Sequence, residues 1–171
     1  MRSEWIPKGD FEMILAALTP ENRLACEVSL ATGLRINDVL ALTPDKVRKQ
    51  RFTVYEQKTG KARRVRLPAD LVGRCLACSG QHYVFQHRLN GRYHRTRQAV
   101  WKDLKKTAER FNVRKNITPH SARKEYAVEE FERCGGDLKR VQQLLCHSSE
   151  AVTALYAMAN VLNKRRGFKR V

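Results

Sequence analysis

The sequence predicts an α+β domain, mainly α-helical, with one small antiparallel β-hairpin. Three observations carry this expectation. Apolar residues recur at helical spacing between N-cap signals and glycine stops along most of the chain. Between Lys46 and Leu67 the period changes to two: Phe52, Val54, Val65 and Leu67 alternate with polar residues, and Thr59-Gly60 supplies the turn between two arms. With 171 residues, 42% of them hydrophobic, the chain is long enough to bury one core, so residues 1–171 read as a single domain.

The elements follow in order. Asp10 can cap a helix from Phe11 to about Leu18. Thr19-Pro20-Glu21 restarts a helix that runs to Thr32 and stops at Gly33, with Leu24, Ala25, Val28 and Ala31 as its apolar stripe. Leu34 to Leu40 begins another short helix, and Arg35 falls at the junction between the two. The hairpin is strongly basic: nine of the 22 residues from Asp45 to Arg66 are Lys or Arg, and Lys58 sits beside the turn. Leu71 to Cys78 reads as a helix, Tyr83-Val84-Phe85 as a short strand, and Arg88 to Arg97 as a basic loop around Asn90-Gly91. A helix from about Thr96 to Phe111 turns Ala99, Val100, Leu104 and Ala108 inward. Thr118-Pro119 opens the next helix, which runs to Cys134 and stops at Gly135-Gly136. Asp137 caps another, packed through Leu138, Val141, Leu144 and Leu145. His147 then falls in a turn, Ser148 or Ser149 caps a helix carrying Tyr156, and residues 162–171 form a basic tail.

Charge narrows the function. The 34 Lys and Arg outnumber 17 Asp and Glu, giving a net charge of +17 and an expected polyanionic partner. Nucleic acid is the first candidate and an anionic membrane surface the second. No apolar run approaches the roughly 20 residues of a membrane span, and Met1 to Trp5 leads into no apolar signal segment. The five cysteines lack framework spacing, so reduced thiols and a cytoplasmic setting are expected. Cys75, Cys78, His82 and His87 are metal-ligand types, but the short gap from Cys78 to His82 departs from zinc-finger spacing. The expectation is no metal and no cofactor.

Chemistry concentrates between Thr118 and Tyr156. His120 and Arg123 sit three apart in a first helical turn, on one face, where a helix N-terminus and a guanidinium together favour an anion. A second histidine, His147, and a hydroxyl at Tyr156 follow. That set fits a phosphate held for attack by the tyrosine. Each part also has a plainer reading: Tyr156 falls in a stripe with Val152, Leu155 and Ala159, which is ordinary core spacing, and Arg35 fits a solvated charge at a helix boundary.

Taken together, the residues resemble the active site of the tyrosine recombinase (phage integrase) family. Ala31 to Leu40, reading Ala-Thr-Gly-Leu-Arg-Ile-Asn-Asp-Val-Leu, is similar to that family's first arginine box. Gln57-Lys58-Thr59-Gly60-Lys61 is similar to its hairpin lysine, and Thr118-Pro119-His120-Ser121-Ala122-Arg123 to its His-x-x-Arg box. Leu145-Cys146-His147-Ser148-Ser149 resembles the second histidine box, with Tyr156 nine residues later where the family has its nucleophile. Cys146 stands where the family usually has Gly, and Asp38 where Glu is more frequent. Against the family pattern, residues 1–171 are expected to hold the catalytic domain without the N-terminal core-binding domain that the family normally carries.

The resemblance implies a tyrosine recombinase catalytic-domain-like fold and a site made of Arg35, Lys58, His120, Arg123, His147 and Tyr156. It implies a site-specific recombinase or integrase that cleaves and rejoins double-stranded DNA through a 3′-phosphotyrosine, without metal. A monomer in solution that assembles as a tetramer on DNA is the matching expectation. Two other readings stay open: a type IB topoisomerase-like enzyme that relaxes DNA, and a DNA-binding accessory protein with an inactive site.

Overall fold

A computed structural model describes residues 3–145. Its elements are α1 (Lys8–Ala16), α2 (Pro20–Thr32), α3 (Ile36–Leu40), α4 (Pro44–Arg48), β1 (Arg51–Tyr55), β2 (Ala62–Arg66), α5 (Ala69–Cys78), α6 (Arg97–Arg110), α7 (Pro119–Arg133) and α8 (Leu138–Leu144). The architecture is the expected one: helices around a core, with, among the described residues, one two-stranded antiparallel sheet. The second histidine, Tyr156 and the basic tail of the sequence reading lie outside the described residues.

Helix α2 is the axis of the domain. It packs against α1, α3, α5, α6 and α7, and buries Leu24, Ala25, Cys26, Val28, Ser29 and Thr32. Pro20 at the first helical position and Gly33 in the left-handed region at φ +64° set its two ends. Ala31, expected inside, is exposed, and Thr32 turns inward instead. The reason is the sharp exit at Gly33: Thr32 bonds back to the Val28 carbonyl at 2.6 Å and points where the chain must fold under.

The hairpin matches the alternation. Phe52, Val54, Val65 and Leu67 face the core, and Phe52 pairs with Val65 and Val54 with Arg63. Two local expectations fail. The strand does not begin at Lys46, because Pro44 starts a helical turn, α4, that buries Val47 before the chain extends at Arg51. Tyr83 to Phe85 forms no strand. Val84 and Phe85 are buried, and their backbones bond to Leu42 and Arg95, so packing rather than a sheet holds them. The first helix also starts earlier than expected, at Lys8 after Pro7, leaving Asp10 in its first turn.

Helix α7 is fixed at its start by reciprocal caps. The His120 N–H donates to Thr118 Oγ1 and the Thr118 N–H to Ser121 Oγ, both at 3.2 Å. An N-terminal strap then ties this end down. Ser121 Oγ donates to the Glu4 carbonyl at 2.8 Å, Lys124 Nζ donates to the Ser3 carbonyl, and the Trp5 indole donates to Glu125. No helix among the described residues is long and apolar enough to cross a membrane.

Candidate active site

The site is built around the turn at Gly33. A Cβ at this position would run into the Tyr126 ring, and the positive φ disfavours a side chain in any case. The turn leaves Arg35 capping α3 and aims the Gly33 carbonyl into the interior. Two guanidiniums from other elements bond that carbonyl: Arg63 Nη1 of β2 at 2.9 Å and Arg123 Nη1 of α7 at 2.7 Å. Arg63 also donates to the Thr32 carbonyl and lies over the Tyr126 ring, 5.6 Å from its centroid. Arg123 also donates to the Leu145 carbonyl.

One carboxylate joins these groups. Glu56 is 1% exposed and follows β1 at the start of the hairpin turn. Its Oε2 accepts from Arg35 Nη1 and from Thr59 Oγ1, the latter at 3.0 Å. Its Oε1 accepts from Arg123 Nη1 at 3.1 Å, with Arg63 Nη1 3.9 Å away. Burial pushes the Glu56 carboxyl upward, but the Arg35 bond and the Arg123 charge outweigh it and hold the group below its ordinary value. Burial and the nearby charge of Arg35 lower Arg123 to about 10, opposed by Glu56, so it keeps its charge at neutral pH. Asp38 lies beside them, its Oδ1 accepting the Gln57 N–H at 3.0 Å, and burial raises its pKa.

His120 opens onto this cluster from the start of α7. The surrounding protein lowers its pKa below the ordinary histidine value, and the charges of Arg123, Arg97, Arg35 and Lys58 add to the effect. The shift favours the neutral imidazole, the form able to take a proton. A cavity of about 260 Å³ lies beside it, lined by Arg97, Gln98, Trp101, Thr118, Pro119 and Ser3. Lys58 is exposed on the hairpin turn, two residues past Glu56.

The fold thus brings Arg35, Arg123, His120 and the Lys58 turn to one place, from four separate stretches of chain. His147 and Tyr156 lie outside the described residues. Glu56 and Arg63 were missed in the sequence reading, although the signal was present. Phe52, Val54 and Glu56 share one parity, as do Arg63, Val65 and Leu67, so the alternation puts a carboxylate and a guanidinium on the buried face. Cys75 and Cys78 have other work. Cys75 is fully buried, and Cys78 Sγ donates to the Cys75 carbonyl at 3.3 Å. Among the described residues no group of three or more His, Cys, Asp or Glu is arranged to hold a metal ion.

Fold and site define a class: a mainly helical domain that turns guanidiniums from distant stretches toward one small anion. Comparison with known proteins makes this specific. The phage integrase family matches residues 4–162, and the chain belongs to it. The chain is 33% identical over 147 residues to tyrosine recombinase XerD of Lacticaseibacillus casei, covering 79% of this chain and 49% of that protein. It is 32% identical over 157 residues to tyrosine recombinase XerD of Mycobacterium tuberculosis, covering 84% of this chain and 50% of that protein. The chain therefore spans about half the length of these relatives. Among solved structures, XerA recombinase superposes with a TM-score of 0.70 at 21% identity, over 98% of this chain and 65% of that one. A lambda integrase fragment, a dimer bound to a COC′ core site, superposes with a TM-score of 0.74 at 18% identity, over 92% of this chain and 60% of that one. At such identities the likeness establishes the fold.

Proposed function

We propose that this chain is the catalytic part of a site-specific DNA recombinase that cleaves and rejoins strands through a 3′-phosphotyrosine on Tyr156. The observation that carries the reading is the convergence of Arg35 and Arg123 on a single carboxylate, with His120 and the Lys58 turn near it. Two fixed guanidiniums suit the non-bridging oxygens of a phosphodiester and stabilise the charge that builds as phosphorus is attacked. Tyr156 forms the bond to phosphorus and the 5′-oxygen leaves. An ordinary tyrosine has a pKa of about 10 and needs a base nearby, the role that suits neutral His120. Lys58 supplies the proton to the leaving 5′-oxygen, and His147 donates a hydrogen bond to the phosphate. The phosphotyrosine retains the bond energy, so another 5′-hydroxyl reverses the step and exchanges strands.

The partner is double-stranded DNA, bound in the cytoplasm by a monomer that assembles as a tetramer on its target. The names of the relatives and the net charge of +17 support the DNA partner. Arginines supply the charge stabilisation that metal ions supply in other phosphoryl transfers, so the reaction is expected to proceed in EDTA. The test uses supercoiled plasmids carrying a library of candidate target sites. Supercoiled plasmid is incubated with the protein, stopped with detergent and digested with protease. Nicks with a peptide-blocked 3′ end and a free 5′-hydroxyl are expected, and Tyr156→Phe should give none. Unblocked 3′ ends, or adducts from the Phe variant, would defeat the reading.

A further inference from the structure

We propose that Glu56 is a positioning residue: a resident anion that holds Arg35, Arg123 and the Lys58 turn in one register and yields part of its place to the DNA phosphate. The inference rests on the strand-transfer reading and gives a role to the carboxylate on which its arginines converge. Each oxygen of the carboxylate has a distinct task. Oε2 joins the Arg35 junction to the turn through Thr59 Oγ1 at 3.0 Å, and Oε1 reaches α7 through Arg123 Nη1 at 3.1 Å. The Glu56 carbonyl closes the same turn, accepting the Gly60 N–H at 2.8 Å. Position 56 thus ties the Arg35 junction, the hairpin turn and α7 together through one side chain.

The charge balance gives this arrangement a consequence. Arg35, Arg63 and Arg123 surround a single ionised carboxylate, while the neighbouring Asp38 is pushed toward its neutral form by burial. The cluster keeps an excess of positive charge that a phosphodiester can neutralise. Glu56 therefore acts in two opposed ways. It weakens binding of a free anion, because it already partners the guanidiniums. It speeds cleavage, because it fixes those donors where charge develops. A residue that only held the fold together would move both quantities in the same direction when removed.

The experiment separates these signs. Wild type, Glu56→Gln and Glu56→Asp are titrated with inorganic phosphate at pH 7.5 and fixed ionic strength, following the arginine Nε–H resonances. Relaxation of supercoiled plasmid is timed in parallel. Glu56→Gln should bind phosphate about three- to tenfold more tightly, because the competing charge is gone. It should relax plasmid about 10²-fold more slowly, because the donors are no longer held in register. Glu56→Asp keeps the charge but is too short to span both arginines. Its phosphate affinity should stay within about twofold of wild type, with slowed relaxation. If Glu56→Gln weakens phosphate binding and relaxation together, or changes neither, the proposal is overturned. If Glu56→Gln does not fold, Glu56→Asp decides: relaxation at the wild-type rate overturns the proposal, and slowed relaxation at unchanged phosphate affinity supports it. Should wild type relax none of the plasmids carrying candidate target sites, the strand-transfer reading fails while the phosphate titration alone still decides the role of Glu56.

Discussion

Two carboxylates in this domain are buried to nearly the same depth, Glu56 at 1% and Glu125 at 5% exposure, yet their pKa values are pushed in opposite directions. Glu56 sits among Arg35, Arg63 and Arg123, and their charges keep it ionised despite burial. Glu125 lies on α7 two residues past Arg123, under the N-terminal strap, where its hydrogen-bond donor is the neutral Trp5 indole. Burial pushes it up to about 7, and the neighbouring charges of Glu129 and Glu132 add to this, against the bond from Trp5 and the charge of Lys8. Burial alone therefore does not set the charge of an acid. The partners decide, and a guanidinium compensates for lost water where an indole does not. The difference also divides the labour along α7. One face carries the charged cluster of the candidate site, and the other carries an acid raised to about 7 that bonds the strap through Trp5.

The sharpest way to break this division is to remove a guanidinium from the charged side. Arg35→Ala should slow DNA cleavage by about 10²–10³-fold, the usual loss for one donor that meets developing charge. Filter binding to plasmid DNA should change far less, because the net charge of +17 is spread over many other residues. An equal fall in binding and cleavage would show that Arg35 serves only attachment.

Next in size is Arg63→Met, which removes a buried partner of Glu56 and the donor to the Thr32 and Gly33 carbonyls. Breaking one member of a buried ionic cluster costs about 3 kcal/mol, to be read as a lower urea midpoint. A loss under about 1 kcal/mol would mean that the cluster is looser than its distances imply.

The strap side should respond to pH with the opposite sign. The folded pKa of Glu125 is raised from 4.5 to about 7, so the folded state holds a proton that the unfolded state has released. Its contribution is fully present below about pH 4.5 and is lost as pH rises through 7. Glu56 is held below its ordinary value, so its contribution is present above that value and lost in acid. Glu125→Gln should flatten the decline in stability between pH 5 and 8 by roughly 2 kcal/mol, measured by urea unfolding across that range. An unchanged slope would mean that Glu125 is ionised in the folded protein.

The smallest effect sharpens the same comparison. Trp5→Phe removes the donor that bonds Glu125 and should push its pKa higher still. The cost should be about 1 kcal/mol, larger at pH 8 than at pH 5, because a donor bonds a charged acceptor more strongly. Urea unfolding at the two pH values checks it, and equal losses at both would make the indole a packing group only.

Much of this was legible in the sequence because it depends on neighbours a few residues apart. Thr118 and Ser121 cap α7 through local bonds, Pro20 and Gly33 bound α2, and the alternation of Phe52, Val54, Val65 and Leu67 sets the inner face of the hairpin. The order of Arg35, Lys58, His120 and Arg123 carried the family resemblance without coordinates. The local misreadings arose where spacing is ambiguous. Pro44 to Arg48 is too short to show a helical period, and Tyr83 to Phe85 has strand composition but no neighbouring strand to pair with.

By itself, the sequence determined most of the residues that turn inward on the helices and the hairpin, because side-chain direction follows from the local period of helix or strand. Only the tertiary structure decided what those inward groups meet. Glu56 and Arg63 could be placed on the buried face by alternation, but their union with Arg35, Arg123 and the Gly33 carbonyl joins residues 21 to 90 positions apart. The same holds for the charge states of Glu56, Glu125 and His120. A side chain's ionisation is set by the solvent it has lost and the charges that replace it, and both are properties of the packed domain.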